Sequence, residues 1–157
     1  MIRVYFAQKA FVVHNGRLLA VRRSADDDRH PLKWEVPGGR LEAAESLDEH
    51  IIREVREETG ILISPGGPFF VWKWNINSDS ENSPDCIVAV ARLCTAQTTL
   101  ISTAGRVAQD YLDLTEWIPL SNLAHYEWIS NMRPVLDAFL ARIESNPAGS
   151  SPKTSGT

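Results

Sequence analysis

Gly39-Arg40-Leu41-Glu42-Ala43-Ala44-Glu45-Ser46-Leu47-Asp48-Glu49-His50-Ile51-Ile52-Arg53-Glu54-Val55-Arg56-Glu57-Glu58-Thr59-Gly60-Ile61 is the stretch on which the rest of the chain turns. A glycine turn opens into an amphipathic helix that carries Glu54, Glu57 and Glu58 near its end. Ser46 with Glu49 forms a capping box, so the helix is predicted to start at Ser46. Gly60 supplies the left-handed residue that ends helices. Between them Leu47, Ile51 and Val55 recur at i, i+4, i+8 as an apolar stripe.

On a wheel of ~100° per residue, Glu54 borders that stripe. Glu58 falls inside it, where a hydrophobe is expected, and Glu57 lies beyond Glu54, one turn from Arg53. Such a cluster is costly. Glu54 and Glu58 repel at i, i+4, the C-terminal end of a helix favours cations, and a carboxylate facing the core loses hydration. Arg53 can pair with Glu57, which leaves two carboxylates without a counter-charge. A solvated acidic helix end accounts for this pattern. So does a hard divalent cation, whose preferred ligands are oxygens.

The spacing separates the two. The stretch fits G-x5-E-x7-R-E-U-x-E-E-x-G-U, with U a bulky aliphatic, at Gly39, Glu45, Arg53, Glu54, Val55, Glu57, Glu58, Gly60 and Ile61. It resembles the signature of the Nudix hydrolases, and a match at all nine fixed positions is far more specific than a lone glycine-rich loop. The run-in Trp34-Glu35-Val36-Pro37-Gly38-Gly39 is similar to that family too. The resemblance implies an α+β fold, the Nudix α/β/α sandwich with a mixed β-sheet between helices. It implies Mg²⁺ or Mn²⁺ held by Glu54, Glu57, Glu58 and the Gly39 carbonyl. Glu54 would also help deprotonate water, Arg53 would orient Glu57, and Glu45 would brace the loop or Arg53. Such ions would neutralise a pyrophosphate and acidify a water for attack on phosphorus.

The 157 residues suggest one domain, expected over 1–144, with a Ser-, Gly- and Pro-rich tail over 145–157 expected to be disordered. Hydrophobic content of 43% and charged content of 23% are ordinary for a globular protein. A formal net charge of −4 argues against a general binder of nucleic-acid polymers or membrane surfaces. A small phosphorylated substrate needs only local positive charge. No apolar run is long enough to span a bilayer, and Arg3 and Lys9 interrupt any signal-like segment, so a cytoplasmic location is expected. Cys86 and Cys94 on one strand would lie ~26 Å apart, too far for a disulfide.

Outside the central stretch, residues 2–14 and 17–23 are predicted to be strands joined by a type I′ turn at Asn15-Gly16. Arg22 and Arg23 are a solvated strand end or phosphate contacts, Arg23 being the site candidate of the two. Arg40 is a second cationic candidate. Asp26, Asp27 and Asp28 fall in a polar loop whose spacing suggests no metal role. Trp34 is core or substrate contact. Ile61 to Ile63 is a short predicted strand, and Ser64 to Pro68 a loop. Strands are expected over 69–77 and 86–93, joined by 78–84. Phe70, Trp72 and Trp74 share a face, for core packing or, through Trp72, for stacking a base. Residues 104–113 are expected to be polar and mobile, with Asp110 and Asp113 as candidates for reading the base or assisting catalysis. A strand over 114–120, a short helix, and an amphipathic helix over 130–143 complete the chain.

The resemblance implies hydrolysis of a nucleoside diphosphate linked to another group. A nucleoside triphosphate, including an oxidised or noncanonical one, suits the compact size. ADP-ribose, a nucleotide sugar or a dinucleoside polyphosphate is the alternative. A non-catalytic nucleotide sensor is a third reading, against which the intact carboxylate set speaks. The family occurs as monomers and dimers, so a homodimer is compatible with the sequence.

Overall fold

The computed structural model describes residues 2–42, 44–76 and 85–146. Strands β1 (Val4–His14) and β2 (Arg17–Arg23) meet at Asn15 and Gly16, whose φ angles of 47° and 70° are those of the predicted type I′ turn. Across this hairpin the registered pairs are Val13 with Leu18 and His14 with Arg17. Beyond them the two strands diverge. The wedge is filled by the Trp34 to Arg40 segment. Strand β3 (Trp34–Glu35) pairs with β2, and β4 (Gly38–Arg40) pairs with β1 at Ala7, Gln8 and Lys9.

On its other edge β1 runs parallel to β6 (Cys86–Ala96), from Val4 with Cys86 to Val13 with Thr95. Strand β5 (Ile63–Asn75) is antiparallel to β6 at the sheet edge, and β7 (Leu112–Pro119) is antiparallel to β2. Among the described residues the result is one seven-stranded mixed sheet. Ala7 to Val12 are buried without alternation, as a strand covered on both faces requires. Phe11 packs with Leu18, Trp34 and Ile118 against Val135, Leu136 and Phe139 of α2 (Arg133–Ser145). Ala10 and Val12 pack with Leu19 against Ile51 and Val55 of α1 (Leu47–Thr59). The sheet therefore lies between helices, as expected for the sandwich. Each large apolar side chain buried there contributes ~1.5–3 kcal/mol.

Helix α1 has the expected ends. Ser46 Oγ accepts the Glu49 N–H at 3.1 Å and Glu49 accepts the Ser46 N–H at 2.8 Å. At the other end Gly60, with φ of 76°, donates to the Arg56 carbonyl at 2.8 Å.

Several expectations are corrected. The predicted 64–68 loop is part of β5, which continues through two irregularities around Pro68. Prolines are tolerated there because β5 is an edge strand. Of the predicted strand at Ile61 to Ile63, Ile63 alone belongs to β5, and Ile61 packs under α1. The 104–113 segment is tied down. Ala108–Asp110 form a 3-10 turn and β7 begins at Leu112. Arg106 donates to the Glu58 carbonyl at 2.9 Å and to the Thr115 hydroxyl. Ser130–Met132 form a 3-10 turn before α2, which extends through Ser145, a residue assigned to the tail. Asn77, the 78–84 connection and residues 147–157 lie outside the described residues. Among the described residues no helix is long and apolar enough to cross a membrane.

Candidate active site

The C-terminal half of α1 sets the carboxylates. Glu58, on the apolar stripe, is buried beside Val55. Its Oε2 accepts the Gly38 N–H at 3.3 Å. Burial pushes its carboxyl well above the usual value. The charges of Glu35 and Glu54 push the same way, and Lys9 and the Gly38 N–H oppose them. Glu54, at the stripe edge, lies 3.3 Å from Arg53 Nη1 and 3.7 Å from His50 Nε2. Glu57 points outward and accepts from Arg53 Nη1 at 3.1 Å.

Arg53 is the hub of the exposed side. Its Nη2 donates to Glu45 Oε2 at 2.9 Å and its Nε to Glu45 Oε1. This forked pair, with Glu54 and Glu57 nearby, holds the guanidinium pKa up. Glu45 thus braces Arg53, one of its two predicted roles.

The glycine strip faces this helix. Gly38 has φ of 149°, and a Cβ there would stand 2.1 Å from the Gln8 carbonyl oxygen. That position admits glycine alone. At Gly39 a Cβ would stand 2.9 Å from the Glu54 carboxyl carbon. The missing side chain is what lets the β4 backbone approach the carboxylate.

Beside the strip lies a cavity of about 620 Å³. Lys9, Arg23, Arg29, Arg40, Gly38, Gly39, Trp74, Tyr111 and Asn131 are among its lining residues. Lys9 Nζ reaches Glu35 Oε1 at 3.1 Å, and Arg23 reaches Glu35 at 3.3 Å and Asp27 at 3.6 Å. Burial alone would raise the Glu35 carboxyl, but Lys9 and Arg23 outweigh it and hold it low. The buried Nε of Arg23 has no hydrogen-bond acceptor among the described residues.

The family model for the NUDIX domain matches residues 7–139. The chain belongs to the Nudix family. A CTP pyrophosphohydrolase of Escherichia coli (strain K12) is 39% identical over 57 residues, 36% of this chain and 42% of that protein. The match thus spans less than half of that relative's length. The fold is that of the MutT protein from Methanosarcina mazei Go1, with a TM-score of 0.70 at 22% identity, covering 94% of this chain and 98% of the other. It is also that of the NUDIX domain of Shewanella oneidensis NrtR complexed with ADP ribose, with a TM-score of 0.65 at 17% identity, covering 91% and 89%.

Within this Nudix fold the predicted residues divide. Gly39, Glu54 and Glu58 meet where α1 crosses β4, and Gly38 and Gly60 hold the turns around them. Arg23 and Arg40 line the cavity. Trp34 does not; it is buried in the core, with its ring edge-on to Tyr126 at 5.1 Å. In the aromatic row, with ring centroids 5.8 and 5.7 Å apart, Trp72 donates its indole N–H to the Asn131 carbonyl at 3.0 Å. Trp74, rather than Trp72, lines the cavity. Asp110 offers its backbone carbonyl to Arg23 at 2.9 Å and its carboxylate to the Val107 N–H at 3.5 Å, and the Asp113 carboxylate pairs with Arg22 at 2.8 Å.

Lys9, Glu35, His50 and Gln8 were missed by sequence reasoning. The one available signal was the polar pair Gln8-Lys9 inside an otherwise apolar strand.

An oxygen-liganded cation suits part of this arrangement. Among the described residues no three carboxylate, imidazole or thiol side chains close on one point. The groups that could hold a cation are two helix carboxylates, Glu54 and Glu58, beside the glycine strip. Glu58 is buried and destabilised as an anion, the condition a bound cation relieves.

Proposed function

We propose that the chain hydrolyses a pyrophosphate bond in a nucleoside triphosphate, releasing the monophosphate and pyrophosphate, with Mg²⁺ or Mn²⁺ as cofactor. The supporting observation is the make-up of the cavity. Four cationic side chains line it together with the glycine strip and the acids Asp27, Asp28 and Glu35, and Trp74, Tyr111 and Asn131 share its wall. Cations suit a polyphosphate, and an aromatic face with an amide suits a base. A volume of about 620 Å³ fits a nucleotide-sized ligand. The name of the Escherichia coli relative, a CTP pyrophosphohydrolase, agrees with this substrate class.

The residues act as follows. Glu54 and Glu58, with the Gly39 carbonyl, hold the divalent ion. The ion supplies charge neutralisation and an acidified water. Glu57, engaged by Arg53, stands at the outer rim. Arg53 fixes Glu57 and, through Glu45, the entry to α1. Arg23 and Arg40 face the phosphates. The buried Lys9–Glu35 pair sets the charge beneath Gly38.

The test is a panel of nucleoside triphosphates, including cytidine and oxidised purine species, beside ADP-ribose and a dinucleoside polyphosphate. Each is assayed in Mg²⁺ for pyrophosphate and for phosphate. Pyrophosphate plus monophosphate from a triphosphate, abolished in Glu54→Gln, supports the proposal. Cleavage of ADP-ribose alone moves the substrate class, and tight nucleotide binding without turnover replaces the enzyme with a sensor.

A further inference from the structure

A buried polar chain runs behind the glycine strip. Arg92 on β6 donates from Nη1 to Gln8 Oε1 at 3.2 Å, from Nε to the Gly66 carbonyl at 2.8 Å, and lies 2.7 Å from Asp48. A guanidinium only donates, so the oxygen of the Gln8 amide must face Arg92. That turns the amide nitrogen toward α1. There Nε2 donates to the Leu47 carbonyl at 2.8 Å and meets His50 Nδ1 at 2.8 Å. Its two hydrogens are then both used, and Nδ1 must be the acceptor. His50 therefore carries its proton on Nε2, which donates to the Arg40 carbonyl at 2.9 Å. Each polarity follows from the one before it, starting from a group that cannot accept.

Both Gln8 and His50 are buried. The backbone of Gln8 pairs with Gly39, while its side chain, through His50, reaches the carbonyl of Arg40. The strip is therefore held at Gly39 by the Gln8 backbone and, one residue on, at the Arg40 carbonyl by His50. The same Nε2 lies 3.7 Å from Glu54 Oε1. We propose that His50 is a positioning residue, which through Gln8 and Arg92 fixes the Gly39–Arg40 backbone, at the Arg40 carbonyl, beside the Glu54 carboxylate at the spacing a divalent ion needs. This rests on the metal-dependent reading above.

The experiment uses the full-length chain. Long-range ¹H–¹⁵N correlation of the metal-free protein reads the His50 tautomer. Mn²⁺ binding without nucleotide is followed by electron paramagnetic resonance. Turnover is measured on the triphosphate that the panel selects, for wild type, His50→Leu and His50→Gln, with melting curves for each. The wild type should show the Nε2-protonated form. His50→Leu should weaken Mn²⁺ binding about tenfold or more and lower kcat more than it changes KM. His50→Gln, whose amide N–H can reach the Arg40 carbonyl, should recover most of both.

The proposal is overturned by the Nδ1-protonated tautomer, or by a folded His50→Leu that binds Mn²⁺ as wild type does. Should His50→Leu fail to fold, the tautomer and His50→Gln decide: a folded Gln variant with a tenfold loss also overturns it. If the wild type binds and cleaves while His50→Leu matches it, the positioning role falls alone. If the wild type neither binds Mn²⁺ nor cleaves any nucleotide, the hydrolase reading falls and takes this role with it.

Discussion

Alanine at Gly39 and at Gly38 should do opposite things. At Gly39 the new Cβ would stand 2.9 Å from the Glu54 carboxyl carbon. A normal carbon contact needs ~3.5 Å, so the carboxylate must retreat by about 0.6 Å. It is the end of a flexible side chain, and an off-rotamer shift costs ~0.5–1.5 kcal/mol. Removing a glycine from the unfolded chain returns ~0.4–1 kcal/mol where the backbone allows it. The two nearly cancel, so Gly39→Ala should melt within a few degrees of wild type. Activity should not survive so well. Misplacing a reacting group by ~1 Å can cost ~100-fold, so a displacement of about 0.6 Å should cost at least about tenfold in kcat.

At Gly38 the obstacle is the Gln8 backbone oxygen at 2.1 Å and a φ of 149°. Neither can yield without opening the β1–β4 pairing. Gly38→Ala should lose more than about 3 kcal/mol. Thermal melts and pyrophosphate release on the same preparations check both. A Gly39→Ala variant with wild-type kcat would refute the approach of backbone to carboxylate as the reason for that glycine. So would one as unstable as Gly38→Ala.

Two further outcomes follow from the buried charges. Glu58 has a raised carboxyl pKa in the folded state, so its stabilising protonated form is fully present below the ordinary value and is lost as pH rises. In EDTA, denaturant unfolding of wild type should weaken relative to Glu58→Gln by up to ~1.4 kcal/mol per pH unit above about pH 4.5; parallel curves would count against a buried, destabilised anion. Glu35 has the reverse sign, because its lowered pKa gives stability above the ordinary carboxylate range that is lost on acidification. Lys9→Met should cost about 3 kcal/mol, since Arg23 still partners Glu35, and Lys9→Met/Glu35→Leu should restore much of it. Equilibrium unfolding of wild type and the two variants tests this, and a double variant weaker than Lys9→Met would contradict it.

What could be read from the sequence was what short-range chemistry decides. Asn15-Gly16 specifies its turn, Ser46 with Glu49 specifies a helix start, and Glu58 betrays itself by standing where a hydrophobe belongs. The Pro65-Gly66-Gly67-Pro68 run carries every local mark of a loop, yet pairing with Cys94 and Arg92 draws Pro65 and Pro68 into β5. Trp34 and Trp74 are both tryptophans on strands, and nothing in their neighbours tells which faces the cavity. His50 looks like one more residue of an amphipathic helix until Gln8, distant in sequence, is brought against its ring.

The parallel pairing of β1 with β6 also carries a consequence for biogenesis. Gly38 to Arg40 dock on one edge of β1, while its other edge awaits residues from Cys86 to Thr95. A growing chain on the ribosome therefore has the whole acidic signature exposed before the strand that should anchor it can settle. Local helix formation is fast and closure of such distant partners is slow. The ion-binding corner should thus be among the last parts to mature, which would spare the nascent protein from sequestering divalent ions before it can use them.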